Sequence, residues 1–160
     1  MVLASAAEAP VVDLRLPAHF DPYAVDATAR YEAAARVACA VPKPPGFIGY
    51  RWILPPVAGE LRMLTGTSEG KQIYIGFLKS QYGYQIARLN EDYGTDAQSF
   101  TELLESPMAR VDATRAKVRR DDAEFDRDAR HDMLSGIVAA LRQCDANHAL
   151  GGIRALLASL

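Results

Sequence analysis

The chain has 160 residues, 49% of them hydrophobic and 24% charged, which excludes a disordered tail and a membrane span and suits one globular domain over residues 1–160. With 18 basic against 20 acidic side chains and a net charge of -2, there is no global field for nucleic acid or anionic lipid, so neither is expected as a partner. A complete eight-unit β/α barrel usually takes about 250 residues and seldom fewer than about 200, more than this length supplies.

Met1 to Pro10 holds no Lys or Arg and no apolar run long enough for an export signal, so a cytoplasmic protein is expected. Val11 to Leu14, bounded by Pro10 and Pro17, reads as a short strand or an extended lead-in. Asp21-Pro22 offers a helix N-cap followed by Pro at the first helical position. The Ala-rich run to Ala40 then predicts a helix with Val25, Ala29, Val37 and Ala38 on its inner face. Pro42, Pro44, Pro45 and Gly46 stop it, because a proline ring has no amide hydrogen for the helical ladder. Phe47 to Leu54 is aromatic and β-branched, closed by Pro55-Pro56, and is the best strand candidate; its nearly continuous apolar character suits a strand covered on both faces.

Gly59 to Gly70 reads as a loop with one helical turn around Glu60 to Leu64. Ser68 caps a helix to about Gln81, with Ile73, Phe77 and Leu78 facing the core and Gly83 as a left-handed stop. A second short helix spans Tyr84 to Tyr93 and ends at Gly94. Tyr82, Tyr84 and Tyr93 bracket these helix ends and are assigned to the core. Ser99 and Glu102 fit a capping box, and Pro107 ends the segment it opens. A long helix beginning near Asp121 or Asp122 carries Phe125, Ala129, Met133, Ile137, Leu141 and Cys144 as one buried stripe. The charges just before it, Arg115, Lys117, Arg119 and Arg120 among acidic neighbours, read as a solvated face. Asp145 to His148 is turn chemistry, Ala149 to Ile153 a short strand, and Leu156 to Leu160 a helical end.

Cys39 and Cys144 have no ligand or redox spacing and read as buried free thiols, with a disulfide between them left open as the alternative. His19, His131 and His148 lack local metal-ligand spacing, no glycine-rich phosphate loop is present, and no Ser or Cys has a nucleophile context, so neither metal nor cofactor is expected. The fold expected is α/β and mostly helical, with two or three short strands.

The ordered series Ile48-Gly49-Tyr50, Gly70-Lys71-Gln72, Phe77 to Gly83, Ile86 to Asn90, Tyr93-Gly94-Thr95-Asp96 and Asp145, Asn147-His148 resembles the middle of barrel glycoside hydrolases of the β-galactosidase and β-agarase type. The resemblance runs from about residue 11 to residue 154. It implies a partial or rearranged β/α-barrel-like fragment and, as activity, hydrolysis of a glycosidic bond, with carbohydrate as the partner. Members of that family end the strand equivalent to Phe47–Leu54 with Asn-Glu, the Glu acting as general acid. Here Arg51, Trp52 and Ile53 stand in that place, and none can give up a proton at neutral pH. The nucleophilic carboxylate of the family comes from a later strand, which this chain is expected not to reach. Tyr50, Arg51 and Trp52 are therefore the candidate sugar contacts, and Glu60, the nearest carboxylate, is the substitute acid. Strands left without barrel neighbours expose edges, so a homo-oligomer is expected. The rival expectation is a non-catalytic helical interaction module.

Overall fold

The structure, a computed structural model, describes residues 10–149. The strand expected at Ala149 to Ile153 and the helix at Leu156 to Leu160 lie outside the described residues, save Ala149. So does nearly all of the segment read for an export signal. Eight elements follow in order: β1 (Val11–Arg15), α1 (Ala27–Ala40), β2 (Gly49–Ile53), α2 (Ala58–Arg62), α3 (Glu69–Gln81), α4 (Ile86–Tyr93), α5 (Phe100–Glu105) and α6 (Ala116–Cys144). The fold is therefore mostly helical α/β with two short strands, as the sequence implies. None of the described helices is long and apolar enough to cross a membrane. The described residues divide into two compact units, one of residues 10–17, 28–54 and 133–149, the other of residues 18–27 and 55–132.

In the first unit β1 and β2 pair in parallel, Val11 opposite Gly49 through Arg15 opposite Ile53. Parallel neighbours need a crossover, and α1 provides it. The ladder is prolonged by Ile48 N–H to Pro10 O at 3.0 Å and Leu16 N–H to Ile53 O at 3.1 Å. Alternation buries Val12 and Leu14 and turns Asp13 and Arg15 to solvent. The register then places Tyr50 and Trp52 beside the buried pair and Arg51 beside Asp13.

Helix α1 is rotated from the face its valines suggest. Val25 and Val37 are 88% and 70% exposed, Ala29 is also exposed, and the buried positions are Ala27, Tyr31, Ala35 and Ala38. The largest ring sets the phase: Tyr31 lies so close over Gly136 that a Cβ there would come within 2.2 Å of it. The helix also starts later than Asp21-Pro22 predicts. Asp21 Oδ1 accepts from Tyr23 N–H at 2.9 Å, closing a local turn of the kind Asp side chains favour instead of capping a helix.

The two cysteines are not free thiols. Cys39 and Cys144 form a disulfide, their Cα atoms 6.3 Å apart. Packing of the end of α1 against the end of α6 brings together residues that the sequence separates by 105 positions. Asp145 to His148 is not an open turn either: residues 146–149 are helical.

The second unit is helical. Ser68 caps α3 by accepting from Lys71 N–H, as its position predicts, but the inner face is Lys71, Tyr74, Ile75 and Leu78, with Ile73 exposed. Gly70 fits because a Cβ would stand 2.4 Å from an Asp21 carboxylate oxygen and 2.6 Å from Leu61. Helix α2 has no side-chain cap of its own; Asp126 of α6 supplies one, accepting from Val57 N–H at 2.9 Å and Ala58 N–H at 2.8 Å. Ser99 caps α5, while the Glu102 carboxylate reaches Gln98 N–H instead of returning to Ser99. Helix α6 begins at Ala116, several residues before the expected start. Asp112 accepts from both Thr114 N–H and Thr114 Oγ1–H, a turn that ends just ahead of it, and Lys117, Arg119 and Arg120 lie exposed around buried Val118.

Candidate functional site

The strand that the family resemblance equates with an acid-bearing strand is β2, so its side chains come first. Tyr50 is buried, and its hydroxyl donates to Asp145 Oδ2 at 2.7 Å. The same carboxylate accepts from Lys43 Nζ at 2.7 Å and meets His148 Nδ1 at 2.9 Å. Burial alone would raise the Asp145 carboxyl, but hydrogen bonds from Lys43, His148 and Tyr50 overcome it and hold the group well below the usual carboxylate range. The Tyr50 hydroxyl is pushed up in turn, by burial first and by Asp145 second. Phe47 closes this cluster, edge to face with Tyr50 at 5.3 Å and with His148 at 4.6 Å. The carboxylate is thus held ionised and saturated with donors, the chemistry of a fastening and not of a proton donor.

Arg51 lies on the opposite face of β2, exposed and paired with Asp13 at 2.8 Å. The carboxylate keeps its guanidinium charged. Trp52 is half-buried, and its indole N–H is buried with no hydrogen-bond partner among the described residues. A buried donor left unpaired costs about 1–3 kcal/mol, so this N–H is the open valence of the strand. Of the sequence candidates, Tyr50 and Trp52 share a face and Arg51 is turned away from them.

Glu60, the substitute acid, sits in α2 of the second unit. Its carboxylate lies 2.6 Å from His19 Nδ1, with His19 80% and Glu60 43% exposed in their side chains. His19 has a left-handed backbone, φ +59°. A glycosidase pair needs a second carboxylate about 5–9.5 Å away; the group Glu60 meets is an imidazole.

The motifs that carry the resemblance turn out to fasten the second unit together. Tyr82 and Tyr93, from the two Tyr-Gly pairs, both donate to Asp121 Oδ2 of α6. Asp121 is fully buried, and both hydroxyls are pushed well above their ordinary range by burial first, with Asp121 adding to it. Asn90, from the Leu-Asn pair, holds the following loop: its amide donates to Ala97 O at 2.8 Å and its oxygen accepts from Thr95 Oγ1–H at 2.8 Å. Arg115 covers Gly94 and donates to the carbonyls of Glu91 and Asp92 at the end of α4. Tyr84 departs from the core assignment: it is exposed.

Two further buried cations were not visible in the sequence. Arg62 donates to Asp122 Oδ1 at 2.7 Å and to the Tyr74 hydroxyl at 3.0 Å. Burial opposes its charge, but these partners raise its pKa overall. Lys71, fully buried, donates to three backbone carbonyls, Arg62 O at 2.7 Å, Leu64 O at 2.9 Å and Ser106 O at 3.1 Å. Burial, then the charge of Arg62, pulls its pKa down to about 8. The signal in the sequence was faint, a Lys on the helix face that also carries Tyr74 and Leu78.

No family model matches the chain, and no curated protein matches it. Among solved structures it is similar to an exo-β-agarase, at 20% identity and a TM-score of 0.54, over 80% of this chain and 19% of that one. It is also similar to PfGH50B, at 14% identity and a TM-score of 0.56, over 85% of this chain and 23% of that one. This chain spans about a fifth of the length of those two chains. At such identities the likeness is one of fold alone: the chain has a fold that also occurs within part of those two proteins.

Proposed function

We propose that this chain is a degenerate glycoside-hydrolase-like domain that contacts carbohydrate without cleaving it. The observation that carries the proposal is β2. Where the resemblance calls for a proton-donating carboxyl, Arg51 is committed to Asp13 and Trp52 carries an indole whose N–H is buried. The partly exposed part of that side chain suits apolar contact with a sugar ring, but it cannot protonate a leaving oxygen. Fold ancestry does not carry activity without its site. The test is a turnover screen on aryl glycosides and agar-type oligosaccharides, with Glu60→Gln alongside. The expected outcome is no turnover by either protein. Turnover abolished by Glu60→Gln contradicts the proposal.

A second reading, a non-catalytic interaction or homo-oligomerisation module, has its own observation. A groove of about 380 Å³ with a largely apolar lining runs beside α1, between Asp13, Arg15 and Pro17 of one segment and Arg30 to Ala38 of the other, with Val37 exposed at its side. Sedimentation distinguishes the readings: a dimer dissolved by Val37→Glu favours the module, and a monomer at high concentration removes it. A cytoplasmic location requires the Cys39–Cys144 pair to be reduced in the cell, whereas the bonded pair is what an oxidising compartment produces. Thiol titration of freshly lysed cells separates the two.

A further inference from the structure

Tyr84 is 73% exposed, and its side chain has no hydrogen-bond partner among the described residues. Its φ is +61°, directly after Gly83 at +60°. Glycine takes up such angles freely, but a bulky side chain there is an outlier that costs stability and persists only where its surroundings impose it. They do so here: Tyr84 N–H donates to Lys79 O at 2.8 Å and Gln85 N–H to Tyr82 O at 3.1 Å. Two residues upstream the Tyr82 ring is anchored on buried Asp121, and two residues downstream α4 begins. The turn is therefore fixed, its tyrosine ring stands in solvent, and packing offers no return for the strain. Arg88 reaches the same turn, its Nη1 3.5 Å from where a Cβ on Gly83 would lie, which brings planar donors to the residue before Tyr84.

We propose that Tyr84 is a carbohydrate-stacking platform, its ring taking the C–H face of a pyranose in an agar-type oligosaccharide while Arg88 donates to the sugar hydroxyls. The proposal rests on the carbohydrate-contact reading above and gives it a second, separate contact surface in the second unit. An exposed ring in an adverse backbone conformation is the pattern expected when a side chain is kept for what it binds. The same fixed turn explains how a lone ring could bind at all, since a preorganised platform loses little freedom on contact.

The test is calorimetric titration of the full chain with an agarose-derived hexasaccharide, on the native protein and on Tyr84→Ala, Tyr84→Phe, Tyr84→Gly and Trp52→Phe. The ring-deleting variants are expected to bind about tenfold more weakly, and Tyr84→Phe, which keeps the ring, to recover affinity to within about twofold. Tyr84→Gly is also expected to raise Tm by about 2–4 °C, because glycine relieves the turn. Native protein that binds while Tyr84→Ala and Tyr84→Gly bind equally well overturns the platform and leaves the broader reading in place. Native protein that shows no binding overturns both.

Discussion

Lys71 holds an ammonium where no solvent reaches it, answered only by three carbonyl oxygens. Its native pKa of about 8, against an ordinary 10.5, corresponds to a burial cost of the order of 3 kcal/mol, present in full below pH 8. Between pH 8 and 10.5 the native lysine is neutral while the unfolded one remains charged, so the unfolded state binds more protons and stability rises with pH. Tyr74 acts in the opposite sense. Burial, opposed by Arg62, raises it from 10.0 to about 12, so the stability it contributes is complete below pH 10 and is lost as pH climbs to 12. The midpoint of urea unfolding should therefore rise from pH 8 to about 10 and fall beyond it. Lys71→Met should remove the rise and keep the fall. A rise that survives in Lys71→Met refutes this assignment. The sequence marks Lys71 as buried only faintly, because its acceptors are backbone groups from two segments, around Arg62 to Leu64 and at Ser106, and backbone groups leave no trace in composition.

Among the elements, the boundaries set by local chemistry were legible. Ser68, Ser99, Gly83 and Gly94 act on their own neighbours, and each sits where a cap or a left-handed stop was expected. Rotational phase was legible in α6, whose expected stripe of Phe125, Ala129, Met133, Ile137 and Leu141 is buried while Cys144 at its end is exposed, but not in α1, because phase depends on what a helix meets. Helix α1 is oriented by Tyr31 against Gly136 of α6, a contact over more than 100 residues of chain, and the exposed valines that suggested another face are passed over. Gly136→Ala tests this directly. Its Cβ would lie 2.2 Å from a buried aromatic ring, so the gain in helix propensity, about 1 kcal/mol, should be outweighed by overpacking, for a net loss of about 1–3 kcal/mol in urea unfolding. Stabilisation would show that the ring can move aside and does not set the phase. Substituting Tyr31 with Leu in the same background should recover part of the loss, since a smaller side chain makes room for the new methyl.

At the scale of the molecule, the sequence conveyed a mostly helical α/β fold and its series of motifs, but it could not say what the motifs do. Tyr82, Tyr93 and Asn90 are polar residues in conspicuous positions, yet each is consumed within the second unit, and Tyr50 likewise in the first. The sequence could not favour the disulfide over free thiols, since its partners are 105 positions apart. A loop of that length is worth about 4–5 kcal/mol in the chain-entropy account. Reduction, or Cys144→Ser, should lower Tm by about 10 °C, and an unchanged Tm would mean that the bond adds nothing to the native state. The central claim is that carbohydrate is bound and not cut, and the chain carries a convenient reporter for it, since Trp52 is its single tryptophan. Titration with agar-type oligosaccharides, followed by tryptophan emission, with the sugar recovered afterwards and sized, should give a saturable change and an intact oligosaccharide. Shortened sugar, or emission that stays flat throughout the titration, would contradict the account.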